Sequence, residues 1–164
     1  MKIYKSVLSD EICDIIIEEG LKREQTEAGI DEDNKKSKGR STTVSFLSNK
    51  TIDEFIRRYV KNANDGVFRI EDSEDLQFAT YNVGDFYGWH KDSNRDNSRI
   101  LSVTVQLSDP DSYEGGDIQI KDFIAERARG TIIVFNSNLL HRVHEVTAGT
   151  RYSLVQWYSG EPVR

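Results

Sequence analysis

The sequence predicts a mainly β domain of the α+β class, with its helices confined to the N-terminal part. Three observations lead there. Apolar residues recur at helical spacing only within the first 65 positions. From about residue 76 the chain breaks into many short alternating or apolar stretches separated by turn residues, the pattern of a sandwich or barrel. Its 164 residues suit one domain with a real core, and no internal repeat, low-complexity segment or linker divides it.

Residues 9–24 read as the first helix. Ser9 is a good N-cap, Asp10 and Glu11 put negative charge in the first turn, and Ile12, Ile15 and Ile16 with Cys13 form an apolar stripe. Residues 25–40 carry glycines and mixed charge and read as a surface loop, in which Lys35, Lys36, Lys38 and Arg40 could touch an anionic partner. Residues 41–47 form a short strand. Residues 49–62 form a second helix, with Ile52, Phe55, Ile56, Tyr59 and Val60 on one face. The β-rich part holds strands at 76–83, 100–107, 117–120, 130–135, 141–146 and 151–158. In the second of these Leu101, Val103, Val105 and Leu107 face one way and Ser102, Thr104 and Gln106 the other. Pro110 and Pro162 fall outside the predicted strands.

Composition narrows the function. A single cysteine, Cys13, allows no intrachain disulfide and no thiolate metal cluster, which suits a reducing cytoplasm. The N-terminus lacks the pattern of a signal peptide, and no apolar run approaches a membrane span. A net charge of −6 argues against a broad nucleic-acid surface.

The chemistry gathers around Tyr81–Asp92, Y-N-V-G-D-F-Y-G-W-H-K-D. In extended backbone His90 and Asp92 project to one side and can offer a nitrogen and a carboxylate oxygen to one point. That is two thirds of the two-histidine, one-carboxylate face that holds non-haem Fe(II) and leaves other positions open. Three histidines exist, so only His141 or His144 could supply the second histidine of such a face. Their odd separation along a strand points them to opposite sides, so at most one can. Arg151 shares a face with Ser153, Val155 and Trp157. If that face is interior, a buried guanidinium calls for a carboxylate. A hairpin from His141 through T-A-G-T would set Arg151 beside it on the adjacent strand. A metal and an arginine so placed suit a dicarboxylate whose 2-oxo acid end chelates the metal.

Four segments then resemble the 2-oxoglutarate- and Fe(II)-dependent oxygenases of the prolyl 4-hydroxylase-like group, and especially the bacterial PKHD-type hydroxylases and their phage relatives. They are Y-N-V-G-D-F-Y-G-W-H-K-D, R-I-L-S-V-T-V-Q-L-S-D-P-D-S-Y-E-G-G-D, G-T-I-I-V-F and L-L-H-R-V-H-E-V-T-A-G-T-R, in the family's order and spacing over roughly residues 76–160. The resemblance implies a double-stranded β-helix, a jelly roll of cupin-like form, with N-terminal helices packed on the major sheet. It implies one oxygenase domain over 1–164, with helical support over about 1–65 and a β core over about 76–160. It implies His90, Asp92 and His141 as iron ligands, and Tyr81 and Arg151 as contacts for the distal carboxylate of 2-oxoglutarate. Tyr87, Arg99 and Trp157 match substrate-facing positions, and Arg40-Ser41-Thr42 matches a stretch ahead of a strand. Ile118 departs from the family, which often has a threonine two residues after the Gly-Gly as a further 2-oxoglutarate contact.

The activity so implied is C–H hydroxylation with O2 as oxidant, succinate and CO2 as co-products and ascorbate as reductant. The implied substrate is a protein or peptide, at proline, in the cytoplasm (the host's, for a phage protein). Other readings are oxidation of a small molecule or alkylated nucleobase, and a non-catalytic β-barrel that keeps a metal for structure. A structural metal site, however, needs no carboxylate clamp like Arg151.

Overall fold

The computed structural model describes residues 1–28 and 39–163. In chain order the elements are β1 (Lys2–Tyr4), α1 (Asp10–Lys22), β2 (Thr26–Ala28), β3 (Arg40–Leu47), α2 (Lys50–Asn64), β4 (Phe68–Ser73), β5 (Leu76–Tyr81), β6 (Phe86–His90), β7 (Arg99–Gln106), β8 (Tyr113–Gly115), β9 (Ile118–Ile120), β10 (Phe123–Ile124), β11 (Ile132–Asn136), β12 (His141–Val143), β13 (Val146–Gly149) and β14 (Arg151–Pro162). Strands pair in the order β1-β11-β7-β14-β5-β3-β6-β12-β9-β10, with β2 on β3, β4 on β14, and β13 with β8 as a separate pair. Every pairing is antiparallel. The path folds over at β3, which pairs β5 along Thr43–Leu47 and β6 through Arg40 and Ser41. One strand thus belongs to both layers, a major one ending in β5 and a minor one beginning at β6.

Strand alternation divides the major layer into two chemistries. Leu76, Phe78, Leu101, Val103, Val105, Ile132, Val134 and Leu154 point to one face and pack with Cys13 and Ile16 of α1 and Ile52, Ile56 and Val60 of α2. Each such buried aliphatic contributes about 1.5–3 kcal/mol of transfer free energy. The intervening residues, among them Gln77, Ala79, Tyr81, Ser102, Thr104, Arg151, Ser153, Val155 and Trp157, line a pocket between the layers. The helices therefore back the sheet and leave its inner face to the site.

Both helices begin as their sequences dictate. Ser9 Oγ accepts the Ile12 N–H at 3.2 Å, and Asn49 Oδ1 accepts the Ile52 N–H at 3.1 Å. The buried face of α1 differs from the expected stripe: Cys13, Ile16 and Gly20 are buried while Ile12 and Ile15 are exposed. Gly20 decides this rotation. A Cβ there would meet the Phe78 ring at 2.3 Å, so only glycine lets the helix sit on β5, where its carbonyl also accepts from Ser45 Oγ at 2.8 Å.

Other expectations are corrected. Residues 26–28 of the expected loop form β2, paired to β3; Lys35, Lys36 and Lys38 lie outside the described residues. The strand expected over 141–146 stops at Val143, and Val146–Gly149 turns away to pair with β8. His141 and Arg151 are therefore not hairpin neighbours. β12 pairs β6 and β9, whereas β14 pairs β5, β7 and β4. The two residues face each other across the pocket because the chain crosses between layers. Pro162 lies inside β14, at its end, where β4 flanks it. β1, β4, β6, β8 and β10 fall outside the expected strands. No helix among the described residues is long and apolar enough to cross a membrane.

Candidate active site

β6 ends on His90, and Asp92 follows in the turn, where its N–H donates to Ser137 O at 3.0 Å. β12 begins on His141, which stands opposite His90 in the ladder. The three side chains converge: their ligand atoms lie within 4.8 Å of one another. Asp92 Oδ1 is 3.4 Å from His90 Nε2, and Oδ2 is 3.3 Å from His141 Nε2. Each imidazole turns its other nitrogen to a backbone carbonyl, His90 Nδ1 to Gly88 O at 2.7 Å and His141 Nδ1 to Leu139 O at 2.9 Å. Those carbonyls require Nδ1–H donors, which leaves each Nε2 lone pair free to bind a metal. The Tyr87 ring stacks on His90 at 3.6 Å, and Phe135 meets His141 edge-on at 4.8 Å, so both imidazoles are sterically fixed. Burial would raise the Asp92 carboxyl pKa. The imidazole edges of His141 and His90 beside its oxygens, with the Ser102 hydroxyl, outweigh it and hold the group well below the ordinary carboxylate range.

His144 lies outside this cluster. Its Nε2 meets Gln119 Oε1 at 2.8 Å, in agreement with the odd-spacing argument.

Arg151 lies across the pocket and is 1 % exposed. It is the register partner of Tyr81, with its guanidinium 5.3 Å from that ring's centroid. Its Nη2 donates to Gln106 Oε1 at 2.9 Å, but its buried Nε and Nη1 have no hydrogen-bond partner among the described residues. Buried N–H donors on a cation carry a large desolvation cost unless an anion meets them. Burial pushes the Tyr81 hydroxyl pKa up, against the pull of Arg151 and Arg40, so the phenol stays a neutral donor beside the cation. Gly116 makes room for this arrangement, since a Cβ there would come within 3.1 Å of Arg151 Cδ. The side chain of Ile118 lines the same pocket without offering a hydrogen bond.

The expected substrate-facing residues separate. Tyr87 and Trp157 line the pocket, and the buried Trp157 Nε1 has no partner among the described residues. Arg99 is not a lining residue. It stacks over the Trp157 ring at 3.9 Å and is held by Glu74 through two bonds of 2.7 and 2.6 Å. Arg40 lines the pocket with its guanidinium 4.3 Å from the Tyr87 ring centroid. Sequence reasoning missed Ser102, Gln106, Ser137 and Glu74. The polar alternation of β7 was the signal for the first two, because three hydrogen-bonding side chains on one strand face need an interior to serve.

Two nitrogens and a carboxylate on one side of a pocket, with an unsatisfied arginine on the other, define a site for a metal and an anionic co-ligand. The comparisons agree. Residues 76–159, just over half of the chain, match the 2OG-Fe(II) oxygenase superfamily. A PKHD-type hydroxylase of Synechococcus is 40% identical over 91 residues, 50% of this chain and 40% of that protein. A PKHD-type hydroxylase of Idiomarina loihiensis is 36% identical over 83 residues, 47% of this chain and 38% of that protein. The chain thus spans about two fifths of the length of these curated relatives. Among solved structures, a Pseudomonas putida prolyl-4-hydroxylase superposes with a TM-score of 0.77 at 23% identity, covering 96% of this chain and 91% of its own. The viral collagen prolyl hydroxylase of Paramecium Bursaria Chlorella virus-1, solved with 2OG, superposes at 0.75 with 20% identity, covering 97% and 95%.

The chain belongs to the 2OG-Fe(II) oxygenase superfamily, and its fold is the double-stranded β-helix. Within the superfamily it stands near the PKHD type, and its cofactors are Fe(II) and 2-oxoglutarate.

Proposed function

We propose that this chain is a dioxygenase that hydroxylates an unactivated C–H bond of a protein or peptide, at proline. His90, Asp92 and His141 hold Fe(II), and Arg151 with Tyr81 holds the distal carboxylate of 2-oxoglutarate. The observation that carries the reading is Arg151, a buried guanidinium with two donors unpaired on the wall opposite the His-Asp-His cluster. A metal kept for structure alone would give that cation no purpose.

The donor set fits the cofactors. Two neutral imidazoles and one carboxylate suit a divalent iron and leave positions for a chelating 2-oxo acid and O2. When bound, Fe(II) and 2-oxoglutarate supply the oxidising chemistry, in which O2 gives one oxygen atom to the substrate C–H and one to succinate, with release of CO2. The protein's own residues do the rest. Arg151 and the Tyr81 hydroxyl fix the far end of the co-substrate, so that its 2-oxo acid end is directed at the histidines. Tyr87 keeps the His90 ring in place. Trp157 offers an unpaired N–H, and Tyr87 and Trp157 form the wall against which a prolyl ring would lie. Ascorbate would serve as reductant in turnovers without substrate.

The substrate assignment draws support from the two structural neighbours described above, which are prolyl hydroxylases, one of them a collagen prolyl hydroxylase. The whole chain acts as one domain, residues 1–65 supporting the β core of 76–160. To test the reading, proline-containing peptides are incubated with the protein, Fe(II), 2-oxoglutarate and ascorbate in air. Peptide products gaining one oxygen atom, with matching succinate, are the expected outcome. Succinate without any peptide product would move the substrate to a small molecule or nucleobase.

A further inference from the structure

A chain of hydroxyls holds the carboxylate of Asp92. Ser102, on the inner face of β7, is fully buried, and its Oγ lies 2.6 Å from Asp92 Oδ2. Ser137, also fully buried, places its own Oγ 2.9 Å from that of Ser102. The proton directions follow from valence. An ionised carboxylate only accepts, and a serine hydroxyl has one proton. Ser102 therefore donates to Asp92, and Ser137 must donate to Ser102. Ser137 also grips the backbone, since its carbonyl accepts the N–H of Asp92 at 3.0 Å and of Ser93 at 3.1 Å. Asn97 Nδ2 holds the Asp92 carbonyl at 3.0 Å.

The two carboxylate oxygens are thus unequal. Oδ2 receives a short, charge-assisted hydrogen bond, of a kind roughly twice as strong as a neutral one. Each oxygen also faces a ligand nitrogen, Oδ1 at 3.4 Å from His90 Nε2 and Oδ2 at 3.3 Å from His141 Nε2, so the Ser102 bond is what distinguishes them. A carboxylate with both oxygens free can chelate a divalent ion, and doing so here would consume a position the 2-oxo acid requires. A second metal contact through Oδ2 would compete with the short Ser102 bond for that oxygen's electron density.

We propose that Ser102 and Ser137 are positioning residues that restrict Asp92 to a single metal-binding oxygen, Oδ1, and so reserve a coordination position for 2-oxoglutarate. This rests on the ligand reading given under the proposed function. No change in hydrophobic packing would produce the same result, because the effect acts on donor number at the metal rather than on fold.

The test uses the full chain with Co(II), whose visible absorption responds to coordination number, and calorimetric titration of Co(II) and then of 2-oxoglutarate without O2. Ser102→Ala is expected to alter the Co(II) spectrum and to weaken 2-oxoglutarate binding about tenfold or more, with a smaller change in Co(II) affinity. Ser102→Thr, which keeps the hydroxyl, restores both. Ser137→Ala, which leaves Ser102 in place, shifts both in the same direction by less, and it carries the test if Ser102→Ala does not fold. A folded Ser102→Ala or Ser137→Ala with the parent's Co(II) spectrum and 2-oxoglutarate affinity overturns the proposal. His90→Ala separates the two readings. Co(II) binding undiminished in that variant defeats the ligand assignment itself, whereas its loss there, with unchanged serine variants, defeats only the positioning role.

Discussion

Arg151 and Tyr81 stand opposite each other in the β14–β5 ladder, the guanidinium 5.3 Å from the ring, and two of the arginine's buried donors have no partner among the described residues. An anion arriving there gains charge-assisted hydrogen bonds without having to order the side chain, because Gln106 already holds Nη2. Arg151→Met should weaken 2-oxoglutarate binding about a hundredfold, the equivalent of ~3 kcal/mol for lost bonds to a charged group. Fe(II) affinity should stay within a few-fold, as separate anaerobic titrations of metal and co-substrate would show.

Gly116 should be intolerant for a related reason. Its φ is +67°, and an added Cβ meets Val146 Cγ2 at 2.9 Å as well as Arg151 Cδ. Gly116→Ala is expected to cost about 1–2 kcal/mol of stability from the left-handed backbone alone. The displaced arginine should also raise the 2-oxoglutarate requirement, which Gly20→Ala should not do.

Gly20→Ala isolates the packing of α1. The methyl group collides with the Phe78 ring, on the sheet face opposite the pocket, so an overpacking penalty of about 2 kcal/mol and a Tm lower by about 5 °C are expected. Cofactor affinities should be unchanged; a thermal melt and one 2-oxoglutarate titration check both halves.

Cys13 gives a pH prediction. Burial pushes its thiol up to about 11, and Asp10 and Asp14 add to this against Arg129. A neutral thiol is thus favoured in the folded state, while the unfolded chain ionises near the ordinary thiol value. The stability this group contributes is intact below that value and is lost as pH rises toward 11. Urea unfolding of the parent should therefore weaken between pH 9 and 11 more steeply than that of Cys13→Ala. Equal slopes would show that the thiol does not titrate in this way.

Much of this molecule is legible in its sequence, for reasons particular residues make clear. The cap Ser9, the face of α2 and the alternation of β7 are local rules, and the structure obeys them. The convergence of His90, Asp92 and His141 was reachable because strand spacing admitted only one of His141 and His144, and the family resemblance pointed to His141. What failed was long-range. The sequence reading set Arg151 beside His141 through a hairpin, but Val146–Gly149 prefers β8 and carries the chain into the other layer. Local pattern cannot say which distant strand a segment will join. The stripe of α1 was misassigned because Ile12 and Ile15 look more apolar than Gly20, yet the absence of a side chain is what fits Phe78. Ser137 was invisible as a site residue because a serine 45 positions from Asp92 carries no spacing signal, and the alternation of β7 marked Ser102 as facing inward without linking it to Asp92.

The most direct test of the account is the visible metal-to-ligand charge-transfer band that forms when a 2-oxo acid chelates Fe(II). It is recorded without oxygen on the full chain and on His90→Ala, Asp92→Ala and His141→Ala. The account predicts a band that saturates at one Fe(II) and one 2-oxoglutarate per chain, and that is abolished in all three folded variants. No band in the parent, or a band of full intensity in the variants, would contradict it.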